Sequence, residues 1–373
     1  MDYSKRPKYH YKPKKGWIND PNGLVYFKGY YHIFYQHSPD TEYPDGPMSW
    51  GHARTKDFLE WEELPIALKA EKPYEKCGCW SGTAVVKDDT LYIVYSSITM
   101  PEGKADDFVN ANIQTVSIAY SKDGITFEKY ENNPVISSYP EDGSRNFRDP
   151  AIAFVDGKYH LVMASGHVES KKARLLLYES ENIIDWEYKG IMAEEENALY
   201  YECPSVMKKD DKLLISASVC TNYQPLSHHF SVMFGIFSDL KFTIEARGEI
   251  DKGPDQYVGQ IFKDEQGRCI LISWIPGWDY IRYYEKDVGC MSCPREILIK
   301  DGKIKAFPVR ELRHLLKDSD PSVKMTDNGF IIERQNRPPV VYEGKINNVK
   351  ILRDEYIVEV FINGGEEVYT ALL

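Results

Sequence analysis

Apolar and polar residues repeat one local pattern five times along the chain: an apolar strand, a tight polar turn and a second apolar strand. The copies begin at Asp20, Ser81, Asp149, Cys203 and Val258; DPNGLVYFKGYYHIFYQ and DPAIAFVDGKYHLVMAS are two of them. Short apolar runs bounded by Gly, Asp and Lys are typical of strands joined in hairpins. Because little amphipathic helical pattern lies between the copies, the chain is predicted to be all-β.

The turns of the five copies fall near Lys28, Asp88, Asp156, Asp210 and Glu265, so the pattern returns every 54 to 68 residues. Such a period indicates a repeat architecture in which small antiparallel sheets are arranged radially and only short edges are left open. Five repeats predict a five-bladed β-propeller. Since the first strand of each blade lines the central channel, residues at the starts of these strands are expected to meet at one mouth of the axis.

Three acidic residues occupy this position. WINDPNG contains Asp20, NFRDP contains Asp149 and YECPS contains Glu202. Turn chemistry alone can place Asp before Pro or beside Asn-Gly. It does not account for the adjacent Trp17 and Arg148, so we expect the three acids to form one active site.

Carboxyl groups around one cavity suit hydrolysis of a glycosidic bond, in which a protonated acid assists the leaving oxygen and a carboxylate acts at the anomeric carbon. Amide donors in NDPNG are expected to hold Asp20 ionised, as a nucleophile requires. The less polar neighbours of Glu202 are expected to raise its pKa, as a general acid requires. Arg148 and Asp149 are strand neighbours that point to opposite faces, so they need not pair and each could contact substrate hydroxyls.

Composition indicates a soluble globular protein, because 42% of the residues are apolar and only 28% are charged. The net charge of -11 argues against nucleic acid and anionic membrane as partners. No apolar stretch follows the basic cluster in residues 5–15, which is expected to be a solvated lead-in strand, not a signal peptide or anchor. Seven cysteines, an odd number, predict a reducing, cytoplasmic location.

Two cysteine pairs could together supply four thiolate ligands for zinc: Cys77 with Cys79, and Cys290 with Cys293. Neither pair has the context of a zinc finger, and CxC is a less usual spacing than CxxC. The neighbouring histidines at 228–229 have no third ligand at a recognisable spacing. We therefore predict no metal and no cofactor.

As a set, the motifs resemble glycoside hydrolase family 32, the invertase, inulinase and levanase family. WINDPNG, GPMSWGHARTKDFLEWEELPIAL, CWSGTAV, FRDP, YECP, GPDQYVGQ and MSCPREI occur in that family's order over roughly residues 9 to 315. The resemblance implies a five-bladed β-propeller followed by a β-sandwich. It also implies cleavage of terminal β-D-fructofuranosyl bonds with retention.

By position, the resemblance implies that Asp20 is the nucleophile, Glu202 the acid/base and Asp149 the stabiliser of the transition state. Substrate contacts are implied for a further set: ring hydrogen bonds from Asn19 and Gln36, apolar walls from Trp50 and Trp80, a hydroxyl from Ser81, support from Arg148, and polar groups near the acid/base from Asp255 and Tyr257. The predicted function is release of fructose from sucrose or short fructo-oligosaccharides by double displacement. The expected partner is a small sugar.

The C-terminal end departs from the family. Residues 1–320 are predicted to form the propeller and residues 321–373 a shortened sandwich-like region, with strands in NGFIIERQ, DEYIVEVFING and EEVYTALL and a turn at Gly364-Gly365. A sheet this small is marginal alone, so we expect it to pack on the propeller. A homo-oligomer is left open.

Several alternatives also stay open. The aglycone could be glucose, glucose 6-phosphate or fructose, and a fructosyltransferase would use the same intermediate. An inverting arabinan- or xylan-cleaving propeller would require the working carboxyls farther apart. A non-catalytic sugar-binding propeller could keep the aromatic walls and lose the acids. The segment Thr99–Gln114 either shapes the entrance or is a polar surface loop.

Overall fold

Strands dominate the computed structural model, which describes residues 5–104, 111–167, 169–223, 226–278 and 289–373. The short 3-10 helices Pro73–Glu75 and Arg310–Leu315 lie between strands. The predicted all-β class is confirmed.

In these described segments, five antiparallel sheets follow one another along the chain, and each has its strands in chain order. The first two sheets contain β1 Trp17–Phe27, β2 Tyr30–Ser38, β3 Ser49–Thr55 and β4 Trp61–Leu68, then β5 Gly78–Lys87, β6 Thr90–Thr99, β7 Ile113–Ser121 and β8 Glu128–Lys129. The next two contain β9 Arg148–Val155, β10 Lys158–His167, β11 Lys172–Ser180 and β12 Glu187–Glu196, then β13 Tyr200–Lys209, β14 Lys212–Tyr223, β15 Leu226–Ser238 and β16 Lys241–Glu249. The fifth contains β17 Tyr257–Lys263, β18 Cys269–Ile275, β19 Cys290–Met291, β20 Arg295–Lys300 and β21 Lys303–Pro308.

The first two strands of each sheet form the hairpin that the repeat predicts. Four of the turns contain a residue with positive φ: Lys28, Asp88, Asp156 and Asp210, with φ from 48 to 57°. The left-handed conformation lets the chain reverse within a tight turn. The predicted turn positions are therefore confirmed.

The five first strands are neighbours in space: β1 contacts β5, β5 contacts β9, β9 contacts β13, β13 contacts β17, and β17 contacts β1. Apolar clusters fill the space between successive sheets. Phe34 packs with Ile93 between the first and second sheets, and Leu175 packs with Ile215 between the third and fourth. Each fully buried side chain of this size contributes about 1.5–3 kcal/mol.

A β-bulge interrupts each first strand near its start, where the register with the second strand shifts by one residue. The bulges include the residues at which the five sequence copies begin: Asp20, Ser81, Asp149, Cys203 and Val258. A bulge redirects side chains and ends regular pairing. The start of each sequence copy therefore coincides with the bulge in the first strand of a sheet.

Two three-stranded sheets follow: β22 Val323–Thr326, β23 Gly329–Ile332 and β24 Val340–Glu343, then β25 Val349–Asp354, β26 Ile357–Ile362 and β27 Glu367–Leu372. The three predicted C-terminal strands correspond to β23, β26 and β27. Gly364 and Gly365 have φ of 71 and 86° in the predicted turn. An apolar cluster that includes Phe330 and Val358 joins the two sheets.

A buried charge network attaches these sheets to the fifth sheet. Arg295 on β20 is fully buried, and its Nη1 lies 2.7 Å from Asp251 Oδ2. Its Nη2 donates to Thr370 Oγ1 on β27 at 2.7 Å and lies 3.2 Å from Glu359 on β26. Packing of the C-terminal region on the preceding sheets is therefore confirmed.

The basic N-terminal stretch is also attached to this network. The backbone N–H groups of Lys8, Tyr9 and His10 donate to the Asp354 carboxylate at 2.7–3.0 Å. The His10 ring lies between Asp354 and Glu359. Burial disfavours its charge, but these two carboxylates outweigh burial and raise the pKa of His10 to about 9. The basic side chains of this stretch are exposed except Lys12, as the expected solvated lead-in requires, but the stretch is not a strand, and buried acids hold its backbone.

We expect Glu359→Gln to lower the free energy of unfolding by roughly 3 kcal/mol, because it leaves the buried Arg295 and His10 with less opposing charge. Glu366→Gln is the matched control, since Glu366 is 32% exposed and pairs with Lys305 at the surface; it should cost under about 1 kcal/mol. Urea unfolding followed by tryptophan fluorescence measures both. Equal midpoints would contradict a stabilising role for the network.

Candidate active site

A cavity of about 1140 Å³ lies at the bulged starts of the first strands. It is lined by eight of the residues that the sequence predicts for the site: Asn19, Asp20, Gln36, Trp80, Ser81, Arg148, Asp149 and Glu202. The three acids come from three different sheets, on β1, β9 and β13. The predicted meeting of the strand starts is therefore observed.

Asp20 accepts hydrogen bonds from three neighbours. Ser81 Oγ donates to its Oδ2 at 2.8 Å, Asn19 Nδ2 donates to Oδ1 at 3.1 Å, and the Cys203 thiol donates to Oδ2 at 3.3 Å. These contacts favour the carboxylate, but burial outweighs them and raises the pKa of Asp20; the charge of Glu202 adds to the increase. Donors hold the Asp20 carboxylate as expected, but its pKa is raised rather than lowered, because Asp20 lies partly buried on a bulged strand.

Asp149 is the most strained of the acids, since its φ of 58° lies in the left-handed region. Its Oδ2 accepts from the Cys203 N–H at 2.9 Å, and its own N–H donates to Ser96 Oγ at 2.7 Å. Burial raises its pKa to about 7, which the Glu202 charge supports and Arg148 opposes. Because the bulge redirects Asp149, its Oδ2 lies 3.9 Å from Arg148 Nε, and the assumption that the two point to opposite faces does not hold.

Glu202 is held by cationic and hydroxyl groups. Arg148 Nη2 lies 2.9 Å from Oε1, the Tyr257 hydroxyl donates to Oε2, and His228 Nε2 lies 4.0 Å from Oε2. Burial alone would raise the pKa of Glu202, but Arg148, His228 and Tyr257 together lower it. The expected rise in the pKa of Glu202 is therefore wrong, because Arg148, which lies 54 residues away in the chain, contacts its carboxylate in the fold.

Arg148 is itself held in place. Asn146 Oδ1 accepts from its Nη1 at 3.1 Å, and its guanidinium lies 4.9 Å from the centre of the Tyr200 ring. The guanidinium thus has a fixed position between Glu202 and Asp149. It can neutralise either carboxylate or donate to a bound hydroxyl.

Three of the predicted substrate contacts are not part of the cavity lining: Tyr257, which contacts Glu202 instead, Trp50 and Asp255. Trp50 is fully buried in the core between the first and second sheets, and its Nε1 donates to the Trp80 carbonyl at 3.0 Å. Asp255 pairs with Arg334 and accepts from the Leu372 N–H at 2.8 Å, so it attaches β27 to the rest of the protein. The prediction that Trp50 is a sugar wall is therefore wrong, and Asp255 does not line the cavity.

Other residues at the site were missed by the sequence reasoning. Cys203 contacts both Asp20 and Asp149, and only its position beside Glu202 in YECP signalled this. Tyr200, Trp278 and Asn146 also line the cavity. Asn146 begins the NFRDP motif, whereas no motif marked Tyr200 or Trp278.

The segment Thr99–Gln114 contributes Asn112 and Gln114 to the cavity lining, which favours the entrance over a plain surface loop. Gln114 Oε1 also accepts from the Phe147 N–H at 3.1 Å, and so it braces the residue before Arg148. Residues 105–110 of this segment lie outside the described residues.

The seven cysteines all fall in described segments and are free thiols. Within the described ranges, no group of three or more His, Cys, Asp or Glu side chains could hold a metal ion. Of the helices among those residues, none is long and apolar enough to cross a membrane.

Comparison with known proteins gives consistent matches. A raffinose invertase of Escherichia coli is 33% identical over 345 residues, which cover 88% of this chain and 70% of the relative. A sucrose-6-phosphate hydrolase of Zymomonas mobilis is 32% identical over 335 residues, covering 84% and 64%. The solved structure of a Bombyx mori beta-fructofuranosidase mutant in complex with sucrose has a TM-score of 0.83 and 25% identity, and the match covers 100% of this chain and 90% of that one.

The family itself is identified by a longer match. Residues 10–308 match the glycosyl hydrolases family 32 N-terminal domain. That range includes the three acids and all the strands that present them. The chain therefore belongs to glycosyl hydrolases family 32.

Proposed function

We propose that this glycoside hydrolase is a retaining β-fructofuranosidase, which releases terminal β-D-fructofuranosyl residues from sucrose or short fructo-oligosaccharides. The convergence of Asp20, Asp149 and Glu202 on one cavity carries the proposal. The relatives add support, because one is named a raffinose invertase and the Bombyx mori structure holds sucrose.

In the first step, Asp20 attacks the anomeric carbon while Glu202 protonates the leaving oxygen, and a fructosyl ester forms on Asp20. Ser81, Asn19 and the Cys203 thiol aim the Asp20 carboxylate through hydrogen bonds. Positive charge develops on the furanosyl ring in the transition state, and nearby carboxylate stabilises it. Asp149 supplies this stabilisation and accepts from the sugar hydroxyls.

Arg148 controls the proton of Glu202 in this scheme. The guanidinium favours the Glu202 carboxylate. Substrate hydroxyls that accept from Arg148 weaken this ion pair, so burial then raises the pKa of Glu202 and the acid holds its proton. In the second step the carboxylate takes a proton from water, which hydrolyses the ester and frees fructose.

The architecture proposed for residues 1–320 is a five-bladed β-propeller, and for residues 321–373 a shortened sandwich-like region. The closed series of contacts among β1, β5, β9, β13 and β17 supports the propeller. The two small sheets that share an apolar cluster support the sandwich. Free thiols at all seven cysteines support a reducing, cytoplasmic location.

Asp20→Asn should lower turnover of sucrose by about 10⁴-fold or more, because an amide cannot form the ester intermediate. Fructose release from sucrose measures the loss. Asp255→Asn is the matched control: it changes a buried aspartate outside the cavity and should mainly lower the unfolding midpoint. Retained activity in a folded Asp20→Asn protein would refute the nucleophile assignment.

Glu202→Gln should lower turnover of sucrose by about 10³-fold, because the leaving glucose requires a proton. The first step with an aryl fructoside, whose leaving group needs no proton, should be affected much less, and added azide should restore turnover by attacking the ester. Glu195→Gln is the control, since Glu195 contacts Tyr201 next to Glu202 on β13 and does not line the cavity. An equal loss of turnover with sucrose and with the aryl fructoside would contradict the assignment of Glu202 as the general acid.

Arg148→Met should move the alkaline limb of the pH profile of kcat/KM to higher pH. The sign follows because Arg148 lowers the pKa of Glu202, and the protonated form is the acid that the first step needs. Arg148→Lys keeps the charge and should shift the limb less. An unchanged alkaline limb in Arg148→Met would contradict control of Glu202 by Arg148.

A further inference from the structure

Retaining chemistry needs the nucleophile and its neighbouring carboxylate held within about 0.5 Å of their working positions. Asp20 and Asp149 both lie on bulges, where regular strand pairing cannot hold them. Asp149 also has φ of 58°, a conformation that costs a non-glycine residue free energy and persists only where its surroundings enforce it. Some fixed contact must therefore support this residue.

The contact is made by Ser96, a fully buried residue on β6 that does not line the cavity. It pairs with Trp80 on β5, directly beside the bulge at Ser81. Ser96 Oγ accepts from the Asp149 N–H at 2.7 Å and donates to the Ser81 carbonyl at 3.1 Å. The Ser81 hydroxyl in turn donates to Asp20 Oδ2 at 2.8 Å.

We propose that Ser96 is a positioning residue of the active site, an inference that rests on the proposed function. The Ser96 hydroxyl donates its one proton to the Ser81 carbonyl on β5, and one of its lone pairs accepts from the Asp149 N–H on β9. It therefore sets the distance between Ser81, which orients Asp20, and the backbone of Asp149. Without it, the Asp149 N–H is buried and unpaired, which favours relaxation of the strained φ.

The fold does not depend on Ser96 alone, because a second side chain joins the same two strands. Thr83 Oγ1 donates to the Pro150 carbonyl at 3.0 Å and accepts from the Ile152 N–H at 2.9 Å. Thr83 holds β5 against β9 farther from the cavity. Removing the Ser96 hydroxyl should therefore move Asp149 without separating the strands.

Ser97 provides a matched control on the same strand. It is also fully buried, and its Oγ lies 2.8 Å from Thr115 Oγ1 and 2.7 Å from Ser117 Oγ on β7. Ser97→Ala removes the same atom at the same depth and also costs two short hydrogen bonds, in this case to side-chain hydroxyls. Only Ser96 reaches the catalytic strands.

The test compares Ser96→Ala with Ser97→Ala in sucrose hydrolysis, in urea unfolding and in crystal structures. Both variants should lose similar stability. Ser96→Ala should lower kcat about tenfold or more, whereas Ser97→Ala should stay within about twofold of the wild type. The contact between the Cys203 N–H and Asp149 Oδ2 should be lost in the Ser96→Ala crystal structure and kept in that of Ser97→Ala.

A double variant separates positioning from a general structural effect. In the Asp149→Asn background, Ser96→Ala should cost much less than tenfold, because residues that act as a unit are not additive. Equal kcat losses for Ser96→Ala and Ser97→Ala, or an unmoved Asp149, would overturn the proposal. Should Ser96→Ala not fold, Ser96→Cys replaces it: its longer, weaker thiol contacts should still lower kcat, and full activity would overturn the proposal.

The structural comparison does not depend on catalysis. If the wild-type protein cleaves no fructoside, the proposed function fails. The position of Asp149 in the two crystal structures still decides whether Ser96 holds it.

Discussion

Three partly or fully buried carboxyl groups around one cavity impose the constraint on which this molecule depends. Burial raises the pKa of Asp20 and of Asp149, and each negative charge makes the next harder to hold. The protein offsets this with one guanidinium, Arg148, and with short-range donors, of which the Cys203 N–H and thiol are the most central. Arg148 lies between Glu202 and Asp149, and its positive charge lowers the pKa of Glu202.

The β-bulge is the local device that makes this arrangement possible. A regular strand alternates its side chains, so adjacent residues such as Arg148 and Asp149 could not both face one cavity. The bulge and the left-handed Asp149 break that alternation at the end of the strand where the sheets meet. The strained backbone of Asp149 is held by the buried Ser96 hydroxyl on β6. The side chains of the site are therefore positioned by irregular backbone segments that regular β-strands support.

The C-terminal sheets are part of the same frame. Arg295 and Asp251 are buried with partners on β26 and β27, and Asp255 accepts from the backbone of β27. Buried ion pairs of this kind are costly to break from one side, since the remaining charge has no water to solvate it. The short C-terminal region is thereby joined to the segment that leads into β17, which carries Tyr257 beside Glu202. A region with few residues is held by charge and hydrogen bonds as much as by apolar packing.

The amino-acid sequence by itself determined the repeat, the hairpin turns, the all-β class and the meeting of Asp20, Asp149 and Glu202, because alternation, turn residues and spacing are local properties of the chain. The resemblance to family 32 placed Ser81, Asn19 and Gln36 at the cavity. Only the tertiary structure decided which charges meet. Trp50 was misassigned because a buried indole and a sugar platform have the same sequence pattern, and Asp255 because its partner Arg334 lies 79 residues away. The pKa directions of Asp20 and Glu202 also required the fold, since desolvation and the approach of Arg148 depend on distances in space that sequence neighbours do not reveal.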